Sequence, residues 1–242
     1  MTRFIAASLV VAGLAGTTAL AQQAPPAAPA GGRQVTSGAK QPPLFFREEW
    51  KQTGLERPAV SAEVVTNPSL DLNLYGTTSK LVQIAPTTPN LRNDPPNLWT
   101  GECTTPVAVT LRDRNNFVDL TGRAKVRWAT RSAGFHQIRP VIKLADGTWL
   151  VGDHTDGTGT TENFIETEFA IASVRWLKLD IQTVTTIHGE RQQAPEIGRW
   201  ARPDLSKVDE IGFADLMPGS GHGWAGFVQI GRFEVYGNPV KR

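Results

Sequence analysis

From residue 44 onward the chain alternates short apolar runs of period two with turn-forming residues. Leu70-Asp71-Leu72-Asn73-Leu74-Tyr75 places its three leucines on one face and stops at Gly76. Such alternation predicts a half-buried strand. Residues 124–129 alternate strictly, with Val126 and Trp128 toward a core and Lys125 and Arg127 toward water. Residues 106–111 and 116–120 flank Arg112-Asp113-Arg114-Asn115, a hairpin candidate. Residues 141–151 carry Asp146-Gly147 between two β-rich runs, which predicts a hairpin closed by a type I′ turn with φ > 0 at both central residues. Residues 175–181 put Leu177, Leu179 and Ile181 on one face and Trp176 on the other. Residues 208–216 and 227–236 read as the last two strands. The apolar phase of the final one is mixed around Gly231, the mark of a bulge or of a strand covered on both sides. No segment sustains a 3.6-residue apolar period. The helical expectations are brief: residues 47–53, and a turn around Ile171-Ala172-Ser173. Many short strands separated by turn signals predict an all-β sandwich or barrel rather than a parallel α/β sheet.

Ahead of this pattern lie two segments of different character. Met1-Thr2-Arg3 is a short basic start, residues 5–16 are apolar or small without charge, and Ala19-Leu20-Ala21 is a small-x-small site. That order predicts residues 1–21 as a secretory signal peptide, cleaved to leave Gln22 first. A spanning helix needs about 20 apolar residues, and Thr17 and Thr18 interrupt this run. No later segment reads as long and apolar enough to span a bilayer. Residues 22–43 are dominated by Pro, Ala, Gly and Gln, which bury too little to offset their ordering entropy. They read as a disordered tether, followed by one β-sandwich domain over residues 44–242. Export, to the periplasm or beyond the cell, is the localisation this predicts.

Charge and cysteine narrow the partners. Twenty-five Lys and Arg face 23 Asp and Glu, for a net charge of +2, and loss of Arg3 with the signal peptide leaves +1. No basic block appears, which argues against nucleic acid and anionic membrane surfaces. The single cysteine, Cys103, rules out an internal disulfide, so the core carries stability unaided. A buried small apolar residue is the favoured reading of Cys103 over a reactive thiol.

The C-terminal third carries a family resemblance. Val174-Arg175-Trp176-Leu177-Lys178-Leu179-Asp180 is followed by Trp200 and then by Pro203-Asp204-Leu205-Ser206-Lys207-Val208-Asp209-Glu210-Ile211-Gly212-Phe213. The Gly-rich loop Pro218-Gly219-Ser220-Gly221-His222-Gly223 leads into Val228-Gln229-Ile230-Gly231-Arg232-Phe233-Glu234-Val235-Tyr236-Gly237. This layout resembles the closing half of galactose-binding-like jelly rolls. It is similar to carbohydrate-binding modules of that superfamily and to complex I intermediate-associated proteins. It also resembles a group of uncharacterised exported bacterial proteins. The resemblance covers residues 124–237 and implies a jelly-roll β-sandwich. It is a strand-and-loop layout without a catalytic signature, and one fold hosts many functions. A carbohydrate or cell-envelope glycan is the partner it implies, and it assigns no sugar-binding residue.

Candidate chemistry follows from residue types. Glycans are held by stacking a sugar's C–H face on an exposed ring. Of the seven tryptophans, Trp99, Trp200 and Trp224 stand beside Pro, Gly or Arg in expected loops and are the stacking candidates, with His222 beside Trp224. Each could equally cap the sandwich, and the glycine loop around His222 could equally be a tight connection. Asp153, Asp156 and Glu162 lie in an oxygen-rich loop that a calcium ion would suit, although the EF-hand spacing is absent and a solvated loop is the simpler reading. No other cofactor is implied. The four histidines are scattered without an H-x-x-x-H pair, and G-x-S-x-G, P-loop and dinucleotide motifs are absent. Glycoside hydrolysis needs two carboxylates roughly 5–10 Å apart. Glu166 and Glu168 share a strand face, and Glu210 or Asp215 could approach from another. The sequence thus favours a non-catalytic carbohydrate-binding protein. An exported hydrolase or lyase and a structural or interaction protein of the envelope stand as alternatives.

Overall fold

A computed structural model describes residues 41–52, 57–85, 94–156, 163–187, 200–219, 221 and 226–242. All fall in one compact unit, Lys40–Arg242. Its strands are β1 (Leu44–Glu48), β2 (Leu70–Tyr75), β3 (Gln83–Ala85), β4 (Asn97–Trp99) and β5 (Val107–Asp113). They continue with β6 (Asn116–Asp119), β7 (Lys125–Ala133), β8 (Ile138–Leu144), β9 (Trp149–Gly152) and β10 (Ile165–Ala170). The last are β11 (Trp176–Asp180), β12 (Thr185–Thr186), β13 (Val208–Asp215), β14 (Phe227–Tyr236) and β15 (Asn238–Lys241). Three short 3-10 turns complete the described elements, none of which is an α-helix. No helix among the described residues is long and apolar enough to cross a membrane.

Two antiparallel sheets form a sandwich. The smaller has six strands in the order β10-β7-β14-β4-β3, with β1 also on β14. The larger has nine strands in the order β12-β11-β9-β8-β13-β5-β2, with β6 joining β13 and β15. The alternation seen in sequence fills the space between them. Phe46, Val126, Trp128, Phe169, Phe233 and Val235 point in from the six-stranded sheet. Val109, Leu111, Ile142, Leu150, Ile211 and Phe213 answer from the nine-stranded one. Burying each such side chain contributes about 1.5–3 kcal/mol, which lets the domain do without a disulfide.

Several expectations hold. β2 ends at Gly76 with φ +100°, and Trp128 is wholly buried. Gly76 must be glycine, since a Cβ there would lie 2.4 Å from the Pro106 carbonyl oxygen. The bulge at Gly231 is real: β14 slips register against β7 between Ile230 and Phe233. Cys103 is buried, and burial pushes its thiol up to about 12.

Others are corrected. Of the expected helix over residues 47–53, the described residues 47–52 are not helical, because Arg47 and Glu48 pair with Glu234 and Phe233 in β1. β5 and β6 are not a hairpin. The Asp113 carboxylate accepts from the backbone N–H groups of Asn115 and Asn116, and both strands then pair with β13. The Asp146-Gly147 hairpin exists, but only Gly147 has φ > 0, at +88°. Gly147 N–H donates to the Leu144 carbonyl, and Asp146 accepts from Thr148 N–H, so a type I turn followed by a left-handed glycine replaces type I′. The sequence pattern does not predict β15, because Gly237-Asn238-Pro239 reads as a turn. As an edge strand on β6 it tolerates Pro239.

Candidate functional site

Of the expected stacking residues, Trp99 and Trp200 fall among the described ones. Trp99 lies in β4, not in a loop, and is buried beneath the Arg57 guanidinium at 4.7 Å and against Phe227. Leu98 beside it joins the main core, so Trp99 faces the other way, and its burial on the outer side comes from Arg57 and Phe227. Trp200 is half-buried, with the Arg175 guanidinium 4.2 Å from its ring centre. Trp224, His222 and Glu162 lie outside the described residues. Asp153 accepts from both the backbone and the side chain of Arg175. Asp156 accepts from Trp128 Nε1 and His154 Nε2. Burial would raise the Asp156 carboxyl, but the His154 and Trp128 bonds outweigh it and hold the group below its ordinary value. Among the described residues no three acidic, histidine or cysteine side chains converge as metal ligands would.

The carboxylates considered for hydrolysis also separate. Glu166 and Glu168 face outward from β10, paired with Arg127 and Lys125 across the ladder on β7. Glu210 faces outward from the other sheet. Asp215 is buried, with His136 Nδ1 at 2.7 Å and the Thr100 hydroxyl at 2.8 Å.

The outer face of the nine-stranded sheet gathers what sequence reading dispersed. Leu177, Leu179 and Ile181 do share a face, yet that face is this outer one, and Trp176 is the residue in the main core. With Val184, these side chains cover Ala108, Val141, Val151 and Ala214 as a second apolar cluster. The tyrosine and tryptophan beside it, Tyr75 and Trp149, have ring centres 4.8 Å apart in an edge-to-face contact. Their strands are four places apart in the sheet, about 19 Å if it were flat. Their contact therefore requires the sheet to twist and curl, so that this face is concave along the line joining them.

Next to the aromatic pair lies a polar row. The Glu210 carboxylate is 3 % exposed and accepts from the Tyr75 hydroxyl at 2.9 Å, Asn73 Nδ2 at 3.1 Å, Thr110 Oγ1 at 2.5 Å and Lys143 Nζ at 3.0 Å. Burial and the neighbouring Glu210 push the Tyr75 phenol up. Burial alone would lower the Lys143 ammonium, but its bonds to Glu210 and Asp209 raise it above its ordinary value. Asp209 receives Arg112 at 3.0 Å, Lys143 at 3.3 Å and Arg242. Burial would raise its carboxyl, and the Arg242 and Arg112 hydrogen bonds reverse that and hold it low. Trp149, Tyr75, Asn73, Arg112 and Lys143 all remain partly accessible. Chemically, the surface offers a ring edge and face for C–H contacts beside fixed donors and acceptors for hydroxyls. The sequence pattern does not single out Trp149; the signal that could have found it is its place beside the core residue Leu150 in β9, which turns it to the outer face.

No family model and no curated protein matches the chain. Solved structures give distant likenesses. One is the family 11 carbohydrate-binding module of the cellulosomal cellulase Lic26A-Cel5E of Clostridium thermocellum, with 14% identity, 77% of this chain and 97% of that one covered, and a TM-score of 0.40. A family 11 module from the same organism in complex with a β-1,3-1,4-mixed-linked tetrasaccharide gives 13%, 77%, 98% and 0.40. An agarase gives 13% identity, 83% of this chain and 25% of that one, and a TM-score of 0.39.

Proposed function

We propose that the chain is an exported, non-catalytic glycan-binding protein whose binding surface is the concave outer face of the nine-stranded sheet. One observation carries the reading: the half-exposed Trp149–Tyr75 pair stands beside a polar row whose donors and acceptors are already fixed. A sugar ring needs an apolar surface for its C–H face and directed partners for its hydroxyls. Rigid partners lower the ordering cost of binding, and Glu210 holds Tyr75, Asn73 and Lys143 in place. The non-catalytic part rests on the carboxylates. Asp209 and Glu210 are each occupied by cationic side chains, and Glu166 and Glu168 lie on the opposite sheet.

The test is a glycan array with the purified protein, followed by calorimetry on any glycan that binds. We expect saturable binding to one glycan class, weakened at least about tenfold by Trp149→Ala, a loss of roughly 1.4 kcal/mol. Binding that persists in Trp149→Ala and vanishes in Trp200→Ala would move the site to the Arg175–Trp200 stack. An array with no binding at all overturns the reading.

A further inference from the structure

The opposite side of the molecule holds a cavity that the glycan reading does not use. It opens on the outer face of the six-stranded sheet, has a volume of about 410 Å³, and is floored by Ala129. Pro95, Pro96 and Phe164 form its apolar walls, and Glu49, Glu166 and Arg232 supply its polar groups. The size lies within the range of small-molecule sites.

Two backbone irregularities shape it. On one side, the bulge in β14 places Gly231 and Arg232 out of register with β7. Gly231 lets Pro95 close down on the strand, since a Cβ there would lie 2.7 Å from the proline ring. The bulge also turns Arg232 onto Glu166. On the other side, Trp50 follows Glu49 with φ 56°, a conformation costly for an aromatic residue. The buried Glu48 carboxylate holds it there, accepting from the backbone N–H of Glu49 at 3.1 Å, Trp50 at 2.9 Å, Thr66 at 2.8 Å and Asn67 at 3.1 Å. The Glu49 backbone is thereby fixed at the cavity wall.

Charge then distinguishes one residue. On this face Glu166 has Arg127 and Arg232, Glu168 has Lys125, Glu234 has Arg47, and Asp94 has Arg131. Among the described residues Glu49 has no cationic partner, and it is the one carboxylate of this group that both lines the cavity and stands unpaired. We propose that the cavity binds a small organic ammonium ion on an apolar body, with Glu49 as counter-ion and Pro95, Pro96 and Phe164 packing the body. The lining holds two carboxylates, Glu49 and Glu166, against one guanidinium, Arg232, which is spent on Glu166, and the ligand supplies the second positive charge. A neutral molecule of the same shape would gain the apolar contacts and lose the ion pair.

The test is an NMR titration of the purified protein with cyclohexylammonium and phenethylammonium, each against its alcohol, cyclohexanol and 2-phenylethanol. We expect at least one amine to saturate and to shift the Ala129 methyl and Phe164 ring signals. We expect it to bind about fivefold tighter than its alcohol, the worth of a partly screened pair. Glu49→Gln, an exposed change that leaves the melting temperature in place, removes that preference. The inference fails if no amine saturates, if amine and alcohol bind alike, or if the preference survives in Glu49→Gln. Trp149→Ala should weaken glycan binding and leave this titration unchanged, so the two sites fail separately.

Discussion

The two outer faces of the sandwich use charge in opposite ways. On the nine-stranded sheet the carboxylates sink into the surface: Glu210 is 3 % exposed and joins side chains from β2, β5 and β8. On the six-stranded sheet the two carboxylates of β10 stand in water, paired with the neighbouring strand, as in Lys125–Glu168 with side chains 25 % and 49 % exposed. A buried carboxylate with four partners is part of the architecture, because removing it leaves those partners desolvated and unpaired. An exposed pair of ladder neighbours contributes little, since water and salt already screen it. The lesson is that the same residue types fix geometry on one face and leave the other free to exchange partners.

The sharpest way to break this contrast is Glu210→Ala. It strands Lys143, Tyr75, Asn73 and Thr110 together, and we expect a loss on the order of 3 kcal/mol in urea unfolding. A loss below 1 kcal/mol would mean that the network is decoration.

Asp209→Asn should have a smaller, pH-dependent effect. The Asp209 carboxyl is held below its ordinary value in the folded protein. Its charged form therefore stabilises the fold fully above the unfolded pKa of about 3.9, and that contribution fades as pH falls through this value toward the lower folded one. At pH 7 the variant should be about 1–2 kcal/mol less stable. The gap should narrow as pH falls below the unfolded value of about 3.9, and a gap that stays constant with pH would refute the assignment. Glu168→Gln, on the exposed ladder, should change stability by less than about 0.5 kcal/mol. A large loss there would erase the difference between the faces.

How much of this was legible beforehand differs by residue. Trp128 could be placed in the core because Val126 flanks it in phase and Lys125 and Arg127 flank it out of phase. Gly231 could be read as a bulge because the apolar phase breaks there. Trp149 was not singled out by the sequence, because nothing in the run 149–151 says which side of the strand is outside. Leu177 and Leu179 show the limit most clearly: their shared face was evident, but it covers a second cluster on the outside of the sheet. The site residues were less legible than the fold, since Asn73, Tyr75, Thr110 and Lys143 reach Glu210 from 137, 135, 100 and 67 positions away.

The sequence by itself determined the local alternation: which residues form strands, where Gly76 and Gly147 turn the chain, and which side chains share a face. Period two sorts side chains into two sets because successive residues of a strand point to opposite sides. It does not say which set meets the core, which strand lies alongside, or how far the sheet curls. Those were decided in three dimensions. There β5 and β6 both found β13, the β11–β12 hairpin covered an outer face, and a twisted sheet brought Tyr75 to Trp149. Long-range pairing and sheet curvature depend on the summed burial of all the strands together, and no single run of residues encodes that sum.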